Sequence, residues 1–171
     1  MPEIILRPFA LSDATAFAEA VNHSLDTLLP WMTWAHENYR PEEAVNWFNL
    51  AQAERVKGEA ERFAIADSNH RLLGGAGIRF ARQPGEVAAL GYWVRSDAQR
   101  QGVATRAVAQ LIALGFSRPD ITELEILAAT DNVASRAVAL RSGFTLTGSQ
   151  HGLIVLPDGP VEAAVYRLKR P

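Results

Sequence analysis

Between an apolar run at 87 to 95 (VAALGYWVR) and an amphipathic run that starts at Val103, the chain reads Gln99-Arg100-Gln101-Gly102-Val103-Ala104, and this junction limits the possible folds more than any other stretch. The first run is apolar at both odd and even positions, the pattern of a central strand covered on both faces. In the second, Val103, Ala107, Leu111 and Leu114 recur about one turn apart and would form one buried helical stripe. A helix start carries unpaired backbone N–H groups and roughly half a positive charge, so a diphosphate docks there wherever the backbone is uncovered. Gly102 has no side chain and Ala104 almost none, while Gln99, Arg100 and Gln101 bring donors and one cation to the rim. Val103 and Thr105, in the first helical turn, complete the candidate contacts. Taken alone, Gln99-Arg100-Gln101-Gly102 reads more readily as a plain turn ahead of a helix, and its context shifts the weight.

The surrounding pattern places this junction in an α/β chain. Residues 3 to 7 (EIILR) read as a first strand, followed by a helix to about Asn22 capped by Ser12 or Asp13. Residues 25 to 40 read as a loop with one helical turn, and Pro41 opens a helix to about Lys57. Strands follow at 62 to 67, 71 to 80 and 87 to 95, with turns at Ser68-Asn69-His70 and at 83 to 85. After the junction helix come a strand at 122 to 129, a helix at 132 to 142, and closing strands near 144 to 150 and 161 to 169, leaving 152 to 160 as a second long loop. Gly75 and Gly77 fall inside a strand and mark a bulge or a close neighbouring backbone, with no ligand role. The 171 residues are expected to form one domain, 1–171.

Composition narrows the function. With 48% hydrophobic and 21% charged residues the chain is of ordinary globular type, and its net charge of −2 argues against nucleic acid as the main partner. There is no membrane-spanning run and no leader-like N-terminus, and the absence of cysteine excludes a thiol nucleophile, so a cytoplasmic setting is the simplest expectation. The four histidines show no metal-ligand spacing. No Gly-x-x-x-x-Gly-Lys-Ser/Thr occurs, and Phe80 stands where a dinucleotide fingerprint beginning at Gly75 needs its third glycine. A homodimer is left open.

Strand 87 to 94 followed by Gln99-x-x-Gly102-x-Ala104 resembles the acetyl-CoA signature of the GNAT superfamily, and Asn132-Val133-Ala134-Ser135 with Gly143-Phe144 resembles a second element of its RimJ/RimL-like branch. Leu6-Arg7-Pro8 and Leu90-Gly91-Tyr92-Trp93 are also typical of that branch, so the resemblance spans the chain. It implies a mixed, mostly antiparallel sheet of about seven strands with about four helices, whose two central parallel strands splay apart to hold the pantetheine arm. The co-substrate implied is acetyl-CoA, with no metal, and the acceptor a primary amine on a peptide N-terminus or small molecule.

On this resemblance, Trp93, Val94, Gln99 to Thr105, Asn132, Ser135 and Arg141 face the cofactor. A backbone N–H near Val94 serves as oxyanion donor, and Ser135 protonates the leaving sulfur. Asn132 also reads as a helix N-cap, Ser135 as an exposed helical serine, and Arg141 as a solvated charge. Trp31, Trp34, His36 and Tyr92 are the candidate acceptor-side residues, although both indoles also suit a core. Many relatives carry a glutamate base where this chain has Ala89; Glu86, His36, Glu37 and His151 are the substitutes available. The missing acid keeps a non-catalytic acyl-CoA-binding module as the alternative. It also favours α-amines over lysine, because an amine with a pKa near 8 is already about a fifth neutral at cytosolic pH.

Overall fold

The computed structural model describes residues 3–84 and 86–171, so the expected turn at 83 to 85 lies partly outside the described residues, as do the first two residues of the chain. Seven strands form one sheet: β1 (Ile4–Pro8), β2 (Ala60–Asp67), β3 (Leu72–Arg79), β4 (Ala88–Val94), β5 (Glu123–Ala129), β6 (Thr145–Leu156) and β7 (Gly159–Lys169). Their order is β1-β2-β3-β4-β5-β7-β6, and only the β4/β5 pairing is parallel. Five α-helices connect them: α1 (Ala14–His23), α2 (Leu25–Leu28), α3 (Pro41–Lys57), α4 (Val103–Phe116) and α5 (Val133–Arg141).

Helix α4 buries Val103, Ala107, Val108 and Leu111 against Ile65, Ile78, Leu90, Leu124 and Ile126 of the strands. Fully burying each large aliphatic side chain contributes roughly 1.5–3 kcal/mol, which is why the helix that begins at the glycine junction is fixed against β4. A second core holds α1 and α3 through Phe17, Val21, Ala44 and Phe48, with Ala64, Leu72 and Trp93 of the sheet packed into it. Among the described residues no helix is long and apolar enough to cross a membrane.

The parallel strands part as the resemblance implies. Pairing joins Ala88, Leu90 and the residue between them to Leu124, Ile126 and the residue between those, and then stops. Beyond it each strand stays with its other neighbour, Val94 opposite Gly74 of β3 and Ala129 opposite Ala163 of β7. The last four residues of β4 therefore face a gap.

Two local expectations are corrected. Asp13 does not cap α1 with its side chain. Its carboxylate turns back to accept from Ala10 N–H at 2.8 Å and from both Arg7 guanidinium nitrogens at 2.7 and 2.9 Å. The long loop at 152 to 160 is instead a hairpin, in which residues 157 and 158 join β6 directly to β7. Strand β6 is the sheet edge and is exposed along nearly all its length, so burial imposes no alternation on it, and register breaks beside Gly148 and Gly152 interrupt what pattern remains.

Candidate active site

Arg95 N–H donates to Leu73 O on β3 at 2.8 Å. Successive backbone groups of a strand point to opposite edges, so the Val94 N–H and C=O point into the gap between β4 and β5. The Gln99 side-chain amide donates to that Val94 carbonyl at 3.3 Å, tying the junction loop to the end of the splayed strand.

The loop itself requires a left-handed backbone twice. Arg100 has φ 61° and Gly102, the N-cap of α4, has φ 74°. The first backbone bond of α4 runs from Arg106 N to Gly102 O, so the N–H groups of Val103, Ala104 and Thr105 precede the helical ladder and point out of its start. A Cβ on Gly102 would lie 3.1 Å from the Arg106 guanidinium, which also donates to Gln101 O. Arg106, one turn into α4, thus brings a second cation beside the loop. Its position four residues after the glycine is the signal that could have found it.

Asn132 caps α5, its Oδ1 accepting from Ser135 N–H at 3.3 Å. Ser135 in turn meets Tyr92 of β4, whose hydroxyl donates to Ser135 O at 3.0 Å and lies 3.2 Å from Ser135 Oγ. Burial, working against the hydrogen bond from Ser135, pushes the Tyr92 phenol up to about 12, so it stays protonated throughout the neutral range. Arg141 ends α5 and is exposed, while Gly143 (φ 91°) terminates the helix and Phe144 enters the core.

On the other face of β4 lies a cavity of about 330 Å³. Trp34 and Tyr92 line it, together with Trp93; Trp31 and His36 do not. His36 is at the surface, with Nε2 2.6 Å from Glu43 Oε1, and the bonds to Glu37 O and Glu43 raise its pKa. The remaining base candidates do not line the cavity either. Glu86 accepts from Arg82 N–H at 2.9 Å ahead of the paired end of β4, Glu37 is exposed, and His151 sits 3.6 Å from Glu162 on the β6/β7 hairpin. The cross-strand partner of Ala89 is Glu125, 2.6 Å from Arg167. Sequence reasoning passed over Glu125 because only the parallel register brings it beside position 89.

The acetyltransferase (GNAT) domain family matches residues 3–145. The chain belongs to that family. Members transfer the acetyl group of acetyl-CoA, and the Gly102 cradle and the β4/β5 gap of this GNAT domain suit that co-substrate. It is 28% identical over 158 residues to the ribosomal N-acetyltransferase YdaF of Bacillus subtilis, covering 89% of this chain and 84% of that protein. The structure of a ribosomal-protein-serine acetyltransferase from Vibrio cholerae is similar with TM-score 0.82 and 26% identity, over 99% of this chain and 95% of that one. RimL, an L7/L12 α-N-protein acetyltransferase solved with coenzyme A, is similar with TM-score 0.84 and 25% identity, over 97% and 93% of the two chains.

Proposed function

We propose that this GNAT acetyltransferase acylates a primary amine, the α-amine of a peptide or protein N-terminus or of a small molecule, within one domain and in a cytoplasmic setting. The observation that carries the reading is the parting of β4 from β5 after Leu90 and Ile126, beside the uncovered start of α4. Acetyl-CoA bound there supplies an activated thioester carbonyl. Val94 N–H, turned into the gap, donates to the carbonyl oxygen as negative charge develops on it, since a fixed donor in a site shielded from water acts without reorganisation. The amine nitrogen bonds to the carbonyl carbon, the carbon–sulfur bond breaks, and the sulfur takes a proton from Ser135 Oγ, which the Tyr92 hydroxyl at 3.2 Å can restore while solvent returns a proton to the phenol. The amine gives its own proton to solvent.

The reading of the acceptor as an α-amine or other weakly basic amine is supported by Ala89 and by the cavity beside β4, whose lining among the described residues includes none of Glu86, His36, Glu37 and His151. Amines near pKa 8 need little help with deprotonation, whereas lysine near 10.4 is about a thousandth neutral at cytosolic pH. The relatives named for ribosomal-protein α-amines point the same way. The test is thiol release from acetyl-CoA with matched peptides that offer either a free N-terminus or a single lysine. Faster lysine acetylation overturns the α-amine reading, and binding of CoA without release by any amine makes the chain an acyl-CoA-binding module instead.

A further inference from the structure

The cavity beside β4 is opened by missing side chains on the sheet. Gly77 of β3 pairs with Gly91 of β4, and Gly75 pairs with Trp93, so three glycines on two adjacent strands leave a floor without side chains. Among the described residues nothing lies within 4 Å of where a Gly91 Cβ would sit, and Gly91 begins the segment of β4 that has left β5. The cavity thus borders the same segment of β4 that faces the gap assigned to the thioester. Its walls are rings. Trp93 lies across Gly75, where a Cβ would come within 2.7 Å of the indole Nε1, and Trp34 meets Trp93 edge-on with centroids 5.6 Å apart. Phe17 packs edge-on to Trp93 at 5.4 Å and holds this wall against α1.

Charge excludes most other occupants. The cation lining the cavity, Arg62, is paired with Glu54 at 3.2 Å and lies 5.7 Å over Trp47. No carboxylate is among the lining residues. With Arg62 already paired and no acid in the lining among the described residues, the cavity offers no unpaired charge to hold either a cation or an anion. Such a site holds a flat neutral group, for which offset and edge-on ring contacts add to the gain from burial. We infer that this cavity is the subsite for the group attached to the acceptor amine, and that it selects primary amines carrying a neutral aromatic ring. The inference rests on the acetyl-transfer reading above.

The full chain with saturating acetyl-CoA is assayed by thiol release and product mass against phenylalaninamide, leucinamide and alaninamide. Phenylalaninamide is expected to exceed alaninamide about tenfold or more in kcat/KM, with leucinamide between them. Trp34→Ala, at a partly exposed position on the rim, is expected to lower the phenylalaninamide-to-alaninamide ratio about two- to tenfold. Equal kcat/KM for leucinamide and phenylalaninamide, or a ratio unmoved by Trp34→Ala, overturns the inference while leaving acetyl transfer standing. If no amine is turned over, the acetyl-transfer reading fails separately. Tryptophan emission with CoA present then decides the cavity: quenching by phenylalaninamide but not by alaninamide supports it, and no difference overturns it.

Discussion

The Tyr92 hydroxyl on β4 bridges to Ser135 on α5, donating to its carbonyl at 3.0 Å and standing 3.2 Å from its Oγ. The two strands that part at the active site are thereby linked through the helix that follows the second, and a protonated phenol is placed behind the serine proposed to protonate the leaving sulfur. A positioned acid of this kind contributes about 10²–10⁴-fold. Ser135→Ala is expected to lower kcat by about 10²-fold while leaving the acetyl-CoA Kd within a few-fold, measured by steady-state kinetics and calorimetry. Tyr92→Phe should lower kcat as well, and the double variant should be no worse than Ser135→Ala, because residues acting in one relay are not additive. Full additivity would separate the two hydroxyls.

The same burial gives an alkaline signature. Tyr92 and Tyr39 are both pushed up to about 12 by desolvation, whereas an unfolded tyrosine ionises near 10. Below about pH 10 both states hold the proton, so stability is insensitive to these groups. Between about 10 and 12 the unfolded chain releases protons that the folded chain retains, and stability must fall with rising pH. Urea unfolding across that window should show the midpoint descending, with a shallower descent in Tyr92→Phe. A midpoint that stays flat through pH 11 is the contrary result.

Gly102 combines a left-handed φ of 74° with an Arg106 guanidinium 3.1 Å from any added Cβ. Gly102→Glu adds strain, displaces that guanidinium and sets a carboxylate where the proposed reading docks the phosphates of acetyl-CoA. The acetyl-CoA Kd is expected to rise about 100-fold or more, with circular dichroism unchanged. Gly102→Asn, which tolerates the left-handed region, should weaken binding less. Equal affinity in the glutamate variant would remove the loop from the cofactor site.

How far the sequence carried depends on whether local chemistry or distant register sets a feature. Helix α3 was readable from end to end because Pro41 opens it and Gly58, with φ 71°, closes it. The Gly102 junction was readable for the same reason: only a bare backbone serves there. The β6/β7 hairpin was not, since an exposed edge strand carries no hydrophobic alternation. The Tyr92 and Ser135 contact, 43 residues apart, and the Ala89 and Glu125 pairing follow from strand order alone. The aromatic cavity draws on residues from Phe9 to Trp93; Trp34 and Tyr92 stood among the acceptor-side candidates, whereas Phe9, Phe17, Tyr39 and Trp47 reach it only through the fold.

Leu6-Arg7-Pro8, noted first as a family-like triplet, has a physical role in the pair between Arg7 and Asp13. Burial pushes the Asp13 carboxyl up, but the Arg7 hydrogen bond, the Ala10 N–H and the Arg7 charge together hold it below its ordinary value. A depressed folded pKa contributes stability that is present above the unfolded value near 3.9 and is lost as pH falls through the folded one. Asp13→Asn keeps the size but loses the charge, leaving Arg7 without its partner and Ala10 N–H with a weaker acceptor. The expected cost is about 1–3 kcal/mol at neutral pH, read as a lower urea midpoint with unchanged slope. Wild type and variant should converge as the pH drops below about 4, because protonation removes from the wild type what the substitution has already removed. A gap between them that persists undiminished at that pH would assign the loss to packing, and the ion pair would then have no measurable part in holding β1 to the start of α1.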